Sequence, residues 1–247
     1  MGHGDRRDAA ADFDEGTDLA LAIKTAYHKH YLHSTSILLA FSKHYERFFG
    51  MSDSLEPKLA PPGAGLPKPE LLIARLLFAL RWRTGNRGTF NASFTREREV
   101  IRKLAGPLNA ADAARRVLIR RVPGLEDSSR YWSVWMTLDH LRIVNRGITE
   151  TIRKLTHGEK PEKKASTAAV KPSAQVTVEV ASAYEKSCDA LLETVASANN
   201  LKTKLRHAHP WFGPLNAFQW HAMAGSHMGI HRIQIERIVR GLPNTVS

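Results

Sequence analysis

The chain has 247 residues, a formal net charge of +12 and a hydrophobic share of 43%. That length suits one domain with a sizeable extra segment, or two small ones, and the apolar content excludes a globally disordered chain. The single cysteine, Cys188, excludes an internal disulfide framework and a cysteine-rich zinc module.

The opening residues mix Asp5, Arg6, Arg7 and Asp8 and lack the apolar run of a secretory signal. Residues 1–65 read as an N-terminal extension and linker, partly disordered. Within them 18–49 can be helical, with Leu19, Ile23, Tyr27, Leu38, Phe41 and Tyr45 apolar and His28, His30, His33 and His44 unusually close together. Met51 is a plausible native start, which would make residues 1–50 a product of upstream translation. Pro61-Pro62-Gly63-Ala64-Gly65-Leu66-Pro67 reads as the linker.

From Pro67 the pattern turns helical. A helix is expected over about 68–83, and Thr84 to Gly88 break it. A shorter helix is expected over 95–105, ending at Gly106-Pro107, and another over 110–121. Val122-Pro123-Gly124 turns the chain. Ser128 or Ser129 is the expected cap of a strong helix to about Leu155, closed by His157-Gly158. Residues 159–180 form a Lys, Pro, Ala and Ser-rich connection in which Val176 to Val180 alternate like a short strand with no obvious partner. A helix over about 181–200 carries Tyr184, Cys188, Leu191, Leu192 and Val195 at helical spacing. The turn around His209-Pro210-Trp211-Phe212-Gly213-Pro214 leads into a last helix to about Arg240, stopped by Gly241-Leu242-Pro243. Strand signals are too few for a sheet, so the expected class is all-α: an antiparallel helical bundle over 66–242, with 243–247 as a tail.

The most lipid-like run, Leu71 to Leu80, is too short to span a bilayer and carries Arg75. The expectation is a soluble cytoplasmic protein with no membrane partner. The positive charge is dispersed or sits in the connection at Lys160, Lys163 and Lys164, which points to a solvated surface. Arg115, Arg116, Arg120 and Arg121 could contact nucleic acid, but no helix-turn-helix or zinc-finger pattern accompanies them. P-loop, dinucleotide, nucleophile-elbow and H-E-x-x-H signatures are also missing.

Two long helices carry the interesting chemistry. A helix turns about 100° per residue. Around His227, the side chains of Trp220, Met223, Ile230, His231, Gln234 and Ile238 fall within roughly 60°, an inward stripe, with Arg232, Glu236 and Arg240 opposite. Around His140 lie Ser133, Met136, Ile143, Val144, Gly147 and Thr151, while Asp139, Arg142, Asn145, Arg146 and Arg153 point elsewhere. Each helix thus brings imidazole into the core, where its nitrogens need partners. A divalent metal satisfies three at once; hydrogen bonds to neighbouring helices are the plainer alternative.

His221, about 120° from the His227 face, is expected to be exposed. His209 is expected to stabilise its turn, and Trp211 and Trp220 to pack. Gln234 is a candidate to orient a ligand from behind. Cys188 reads as an inert core thiol. Asn91-Ala92-Ser93 is a glycosylation sequon that matters only in a secreted protein.

The runs W-S-V-W-M-T-L-D-H-L at 132–141, H-P-W-F-G-P-L-N-A-F-Q-W at 209–220 and H-M-G-I-H-R-I-Q-I at 227–235 resemble the DinB-like (DinB/YfiT) superfamily. The resemblance covers roughly 67–242. It implies a four-helix bundle with one ligand His on the second helix and an H-x3-H pair on the fourth, places taken here by His140, His227 and His231. It also implies zinc or nickel with open positions, and in some relatives a low-molecular-weight thiol cosubstrate activated for transfer or isomerisation. A metal-dependent thiol transferase acting on a small molecule is therefore the expected function. The alternative is a non-catalytic, metal-stabilised bundle that pairs as a homodimer or binds another partner. No catalytic group beyond the metal ligands is identified.

Overall fold

The computed structural model describes residues 57–162 and 164–243. The expected helix at 18–49, the alternative start at Met51 and the last four residues lie outside them. Six α-helices are described: α1 (Lys68–Thr84), α2 (Arg87–Ala105), α3 (Ala110–Ala114), α4 (Val134–Thr156), α5 (Glu179–Ser197) and α6 (Ala217–Arg240). Four short strands join them: β1 (Val117–Leu118) pairs with β2 (Tyr131–Trp132), and β3 (His207–His209) with β4 (Gly213–Leu215), both antiparallel. No described helix is long and apolar enough to cross a membrane.

Local chemistry explains several departures from the expected boundaries. The break at 84–88 is only two residues wide. Asn86 caps α2 in a reciprocal box with Thr89, its side chain accepting from the Thr89 N–H at 3.0 Å, so the helix begins at Arg87 rather than near 95. Gly85 is required by close approach: a Cβ there would lie 2.2 Å from the Phe90 ring. Only 110–114 of the expected 110–121 helix forms, because Val117 and Leu118 pair with Trp132 and Tyr131. Ser128 and Ser129 belong to a 3-10 turn, and the cap of α4 is Ser133, whose hydroxyl accepts from the Met136 N–H at 3.1 Å. The alternating Val176–Val180 stretch, lacking a strand to pair with, instead leads into α5.

The bundle consists of α2, α4, α5 and α6. Phe90 meets Phe218 and His221, and Glu97 pairs with Arg232, so α2 and α6 run the same way. His140 meets His227 and His231 while Ser129 meets Gln234, so α4 runs against α6. Arg87 reaches the Ala198 carbonyl, Arg98 reaches Asp189 and Arg102 reaches Glu185, so α2 runs against α5. It follows that α4 and α5 point the same way. Their connection must therefore return along the full length of α4, about 35 Å at 1.5 Å per residue. Residues 157–178 make that crossover. The core between the helices holds Phe94, Ile101, Leu141, Ile152, Tyr184, Leu191, Met228 and Ile235, all almost fully buried.

Helix α1 lies outside the four. It is held to the N-terminal third of α6 by Arg81 Nε donating to the Ala222 carbonyl at 2.9 Å, and to the turn between β3 and β4 by Phe78 against Phe212. Its Leu72 and Leu76 remain 69% exposed. The segment expected as a linker is tied down: the Ala60 and Gly63 amides donate to Asp127 and Glu126.

Candidate metal centre

Helix α6 owes its register to a cap at Asn216, which exchanges hydrogen bonds with Gln219. From there His227 and His231 fall one turn apart and face α4. Ser133 sets α4, so that His140 faces them. The three imidazoles offer one ligand atom each, and these atoms all lie within 4.8 Å of one another. Ring centroids are separated by 4.4 Å (His140–His231), 4.5 Å (His227–His231) and 5.1 Å (His140–His227). The Nε2 atoms of His140 and His227 approach to 3.1 Å.

Two of the rings have their tautomers fixed from behind. His140 Nδ1–H donates to the Val170 carbonyl at 2.8 Å. His231 Nδ1–H donates to Gln234 Oε1 at 2.6 Å, and the Gln234 amide donates onward to the Ser129 carbonyl at 2.8 Å. Each neutral ring is left with its Nε2 lone pair turned to the centre, the state a metal ligand requires. Trp132 closes one wall, parallel to His231 at 6.3 Å and tilted against His140 at 5.2 Å.

Burial keeps these rings uncharged. His140 is pushed down to about 4, chiefly by desolvation, against weaker opposing effects from the Val170 carbonyl, Asp139 and Glu126. His227 and His231 are held well below the ordinary histidine value by the same burial and by each other's proximity to further imidazoles. His140 and His231 are buried; His227 is half-buried, and its Nδ1 is enclosed with no hydrogen-bond partner among the described residues.

The donor set fits a divalent ion. Ligands about 2.0–2.1 Å from a tetrahedral zinc stand roughly 3.4 Å apart, close to the separation seen between His140 and His227. Without a cation or a shared proton, lone pairs at that distance repel.

The other expected residues divide. His209 accepts from the Trp211 N–H at 3.1 Å and packs on Phe212 and Trp220, a turn-stabilising place. Cys188 is fully buried beside Asn145, and burial drives its thiol up to about 12. His221 is not exposed: it is fully buried against Phe90, with neither ring nitrogen hydrogen-bonded among the described residues. The reason is that α6 packs on three neighbours. A side chain 120° from the metal face meets α2, not water, and Arg232 on that expected outer side pairs with Glu97 of α2 at 2.6 Å. Likewise Asn145, expected to point away, is buried and donates towards Ser187 and Cys188 of α5. Gly147, expected among the inward residues, is exposed.

Sequence reasoning missed three contributors. The Val170 and Ser129 carbonyls are invisible to it, since any residue type supplies a carbonyl. Asp139, expected from the helical periodicity to point away from the core, is buried instead beneath the α4–α5 connection, and it accepts from Arg142 and from the Ser173 N–H at 3.1 Å.

Comparison with curated proteins gives no match. A solved structure described as a four-helix bundle protein is 19% identical, with a TM-score of 0.46, covering 61% of this chain and 98% of that one. The sequence profile of the DinB superfamily matches residues 93–235, more than half the chain and all three histidines. The chain belongs to the DinB superfamily.

Proposed function

We propose that His140, His227 and His231 hold one divalent ion, zinc or nickel, and that the protein is a metal-dependent transferase using a low-molecular-weight thiol. The observation that carries the metal is the pair of Nδ1–H groups already committed to acceptors, which leaves converging Nε2 lone pairs. Three protein ligands leave at least one position open, the layout of a catalytic rather than a closed site. When bound, the ion would lower the pKa of a coordinated thiol or water.

The chain's own residues then divide the work. His140 and His231 form the rigid inner pair, oriented by Val170 and Gln234. Half-buried His227 lies on the side from which a cosubstrate would enter. Trp132 keeps water from the opposite wall. No carboxylate among the described residues is hydrogen-bonded to the three imidazoles, so the thiol proton would leave to solvent or to the substrate's leaving group.

The test is to titrate a small thiol into the cobalt-loaded protein. A sulfur-to-metal charge-transfer band, with transfer of that thiol to a soft electrophile, is expected. Bound metal that no thiol coordinates, with no transfer, removes the transferase. A second reading, a metal-stabilised bundle that pairs with another copy of itself, is favoured by one feature. Leu72, Ile73, Leu76 and Leu77 form an exposed apolar ridge on α1. Light scattering on wild type and on Leu72→Lys/Leu76→Lys would show a dimer lost on substitution; a wild-type monomer would remove this reading.

A further inference from the structure

The crossover between α4 and α5 does more than connect. From Thr156 it runs back until Val170 stands beside His140 and Ser173 beside Asp139. Among the described residues it is mostly solvent-exposed, with Pro172 buried and Ala165 and Val176 packed against the core. Ala168–Val170 form a single 3-10 turn that aims the Val170 carbonyl at the ligand ring. Pro172 is buried and fixes the backbone just before Ser173. A second layer backs the turn: Gly63, tied to Glu126 at 3.0 Å, is close enough that a Cβ there would sit 3.7 Å from Ala168 and 3.9 Å from Thr167. The orientation of His140 therefore depends on a backbone group from an otherwise thinly anchored strap. The side chain holding that strap is the ligand's own neighbour in sequence.

We propose that Asp139 is a positioning residue: it latches the 165–173 strap onto α4, so that docking of the strap and metal occupancy at His140, His227 and His231 are linked. The proposal rests on the metal reading above. With the strap undocked, His140 loses the acceptor that fixes its tautomer, and metal affinity falls. By reciprocity, bound metal favours the docked strap by the same factor. Loss of such supporting hydrogen bonds weakens metal binding by about 10–100-fold.

The test is amide hydrogen exchange over residues 165–175 in the full chain, stripped of metal and loaded with cobalt or zinc. Asp139→Ala, Asp139→Asn and Ser173→Pro are compared with wild type. Metal is expected to slow exchange in the wild type about ten-fold or more. Asp139→Ala should raise exchange and weaken cobalt binding by about 10–100-fold. Asp139→Asn, which keeps an acceptor for the Ser173 N–H, should restore most of both. Ser173→Pro, which deletes that N–H on the exposed strap and leaves α4 untouched, should repeat the alanine result even if Asp139→Ala fails to fold. Metal bound by wild type with unchanged exchange overturns the linkage and leaves the metal reading standing. No metal bound by wild type overturns both. Normal affinity in Ser173→Pro, or equal losses in Asp139→Asn and Asp139→Ala, overturns the latch.

Discussion

At the scale of single residues, the centre is built on proton placement. Gln234 can neither gain nor lose a proton, so its Oε1 is always an acceptor for His231, and its NH2 group is committed to Ser129. Gln234→Ala should weaken metal binding by about 10–100-fold while leaving the fold intact, measured by competition with a chromogenic chelator. His221 gives a pH prediction. Burial first, then the cations Arg87 and Arg81, hold it down to about 4. In the unfolded chain it returns to about 6.5. As pH falls below about 6.5 the unfolded state takes up this proton and the folded state does not. The residue's share of stability is therefore complete above that value and is lost between about 6.5 and 4, amounting to about 3 kcal/mol. His221→Leu should flatten that part of the stability–pH curve in chemical denaturation, and at neutral pH should cost little, since it also removes two unsatisfied buried nitrogens. An unchanged slope would show that His221 is not the group being titrated. Cys188, buried and pushed up to about 12, should stay unreactive towards a disulfide reagent at pH 8 until denaturant is added.

At the scale of elements, α4 and α6 do most of the positioning, and each depends on a capping residue at its start. Asn216→Ala should cost about 1 kcal/mol in denaturant melts, because the Gln219 amide loses its partner. These two helices were legible in the sequence because long amphipathic runs leave little freedom, whereas their caps, Ser133 and Asn216, were not read from it. The inward stripe on α6 correctly brought His227, His231 and Gln234 to one face. What the stripe could not convey was how many neighbours α6 has. A periodic pattern distinguishes apolar from polar faces, whereas His221 and Arg232 lie on a polar-looking face that α2 covers. The strand-like Val176–Val180 run, read as having no obvious partner, forms no strand, because alternation acquires meaning only when a second strand is available to pair with it. The early start of α2 was hidden because Gly85 and Gly88 outweigh Asn86 in a breaker count, although the cap decides the outcome.

At the scale of the whole molecule, the same-direction pairs α2/α6 and α4/α5 force a long crossover, and that crossover supplies an acceptor to the site. The family, the bundle and the three converging histidines were readable from residues 132–141 and 209–235. The dependence on the crossover was not, because it turns on a backbone carbonyl 30 positions from its ligand. Since metal would bind the folded chain and not the unfolded one, saturation at about 100 times Kd should add about 2.7 kcal/mol to stability, and a chelator should reverse it, readable as a shift in Tm. Elemental analysis of the purified wild type beside His140→Ala, His227→Ala and His231→Ala tests the central claim most directly. One equivalent of zinc or nickel in the wild type, with loss from each variant under a mild chelator, is the predicted result. A metal-free wild type that takes up no ion on reconstitution, or variants that retain it as tightly, would contradict it.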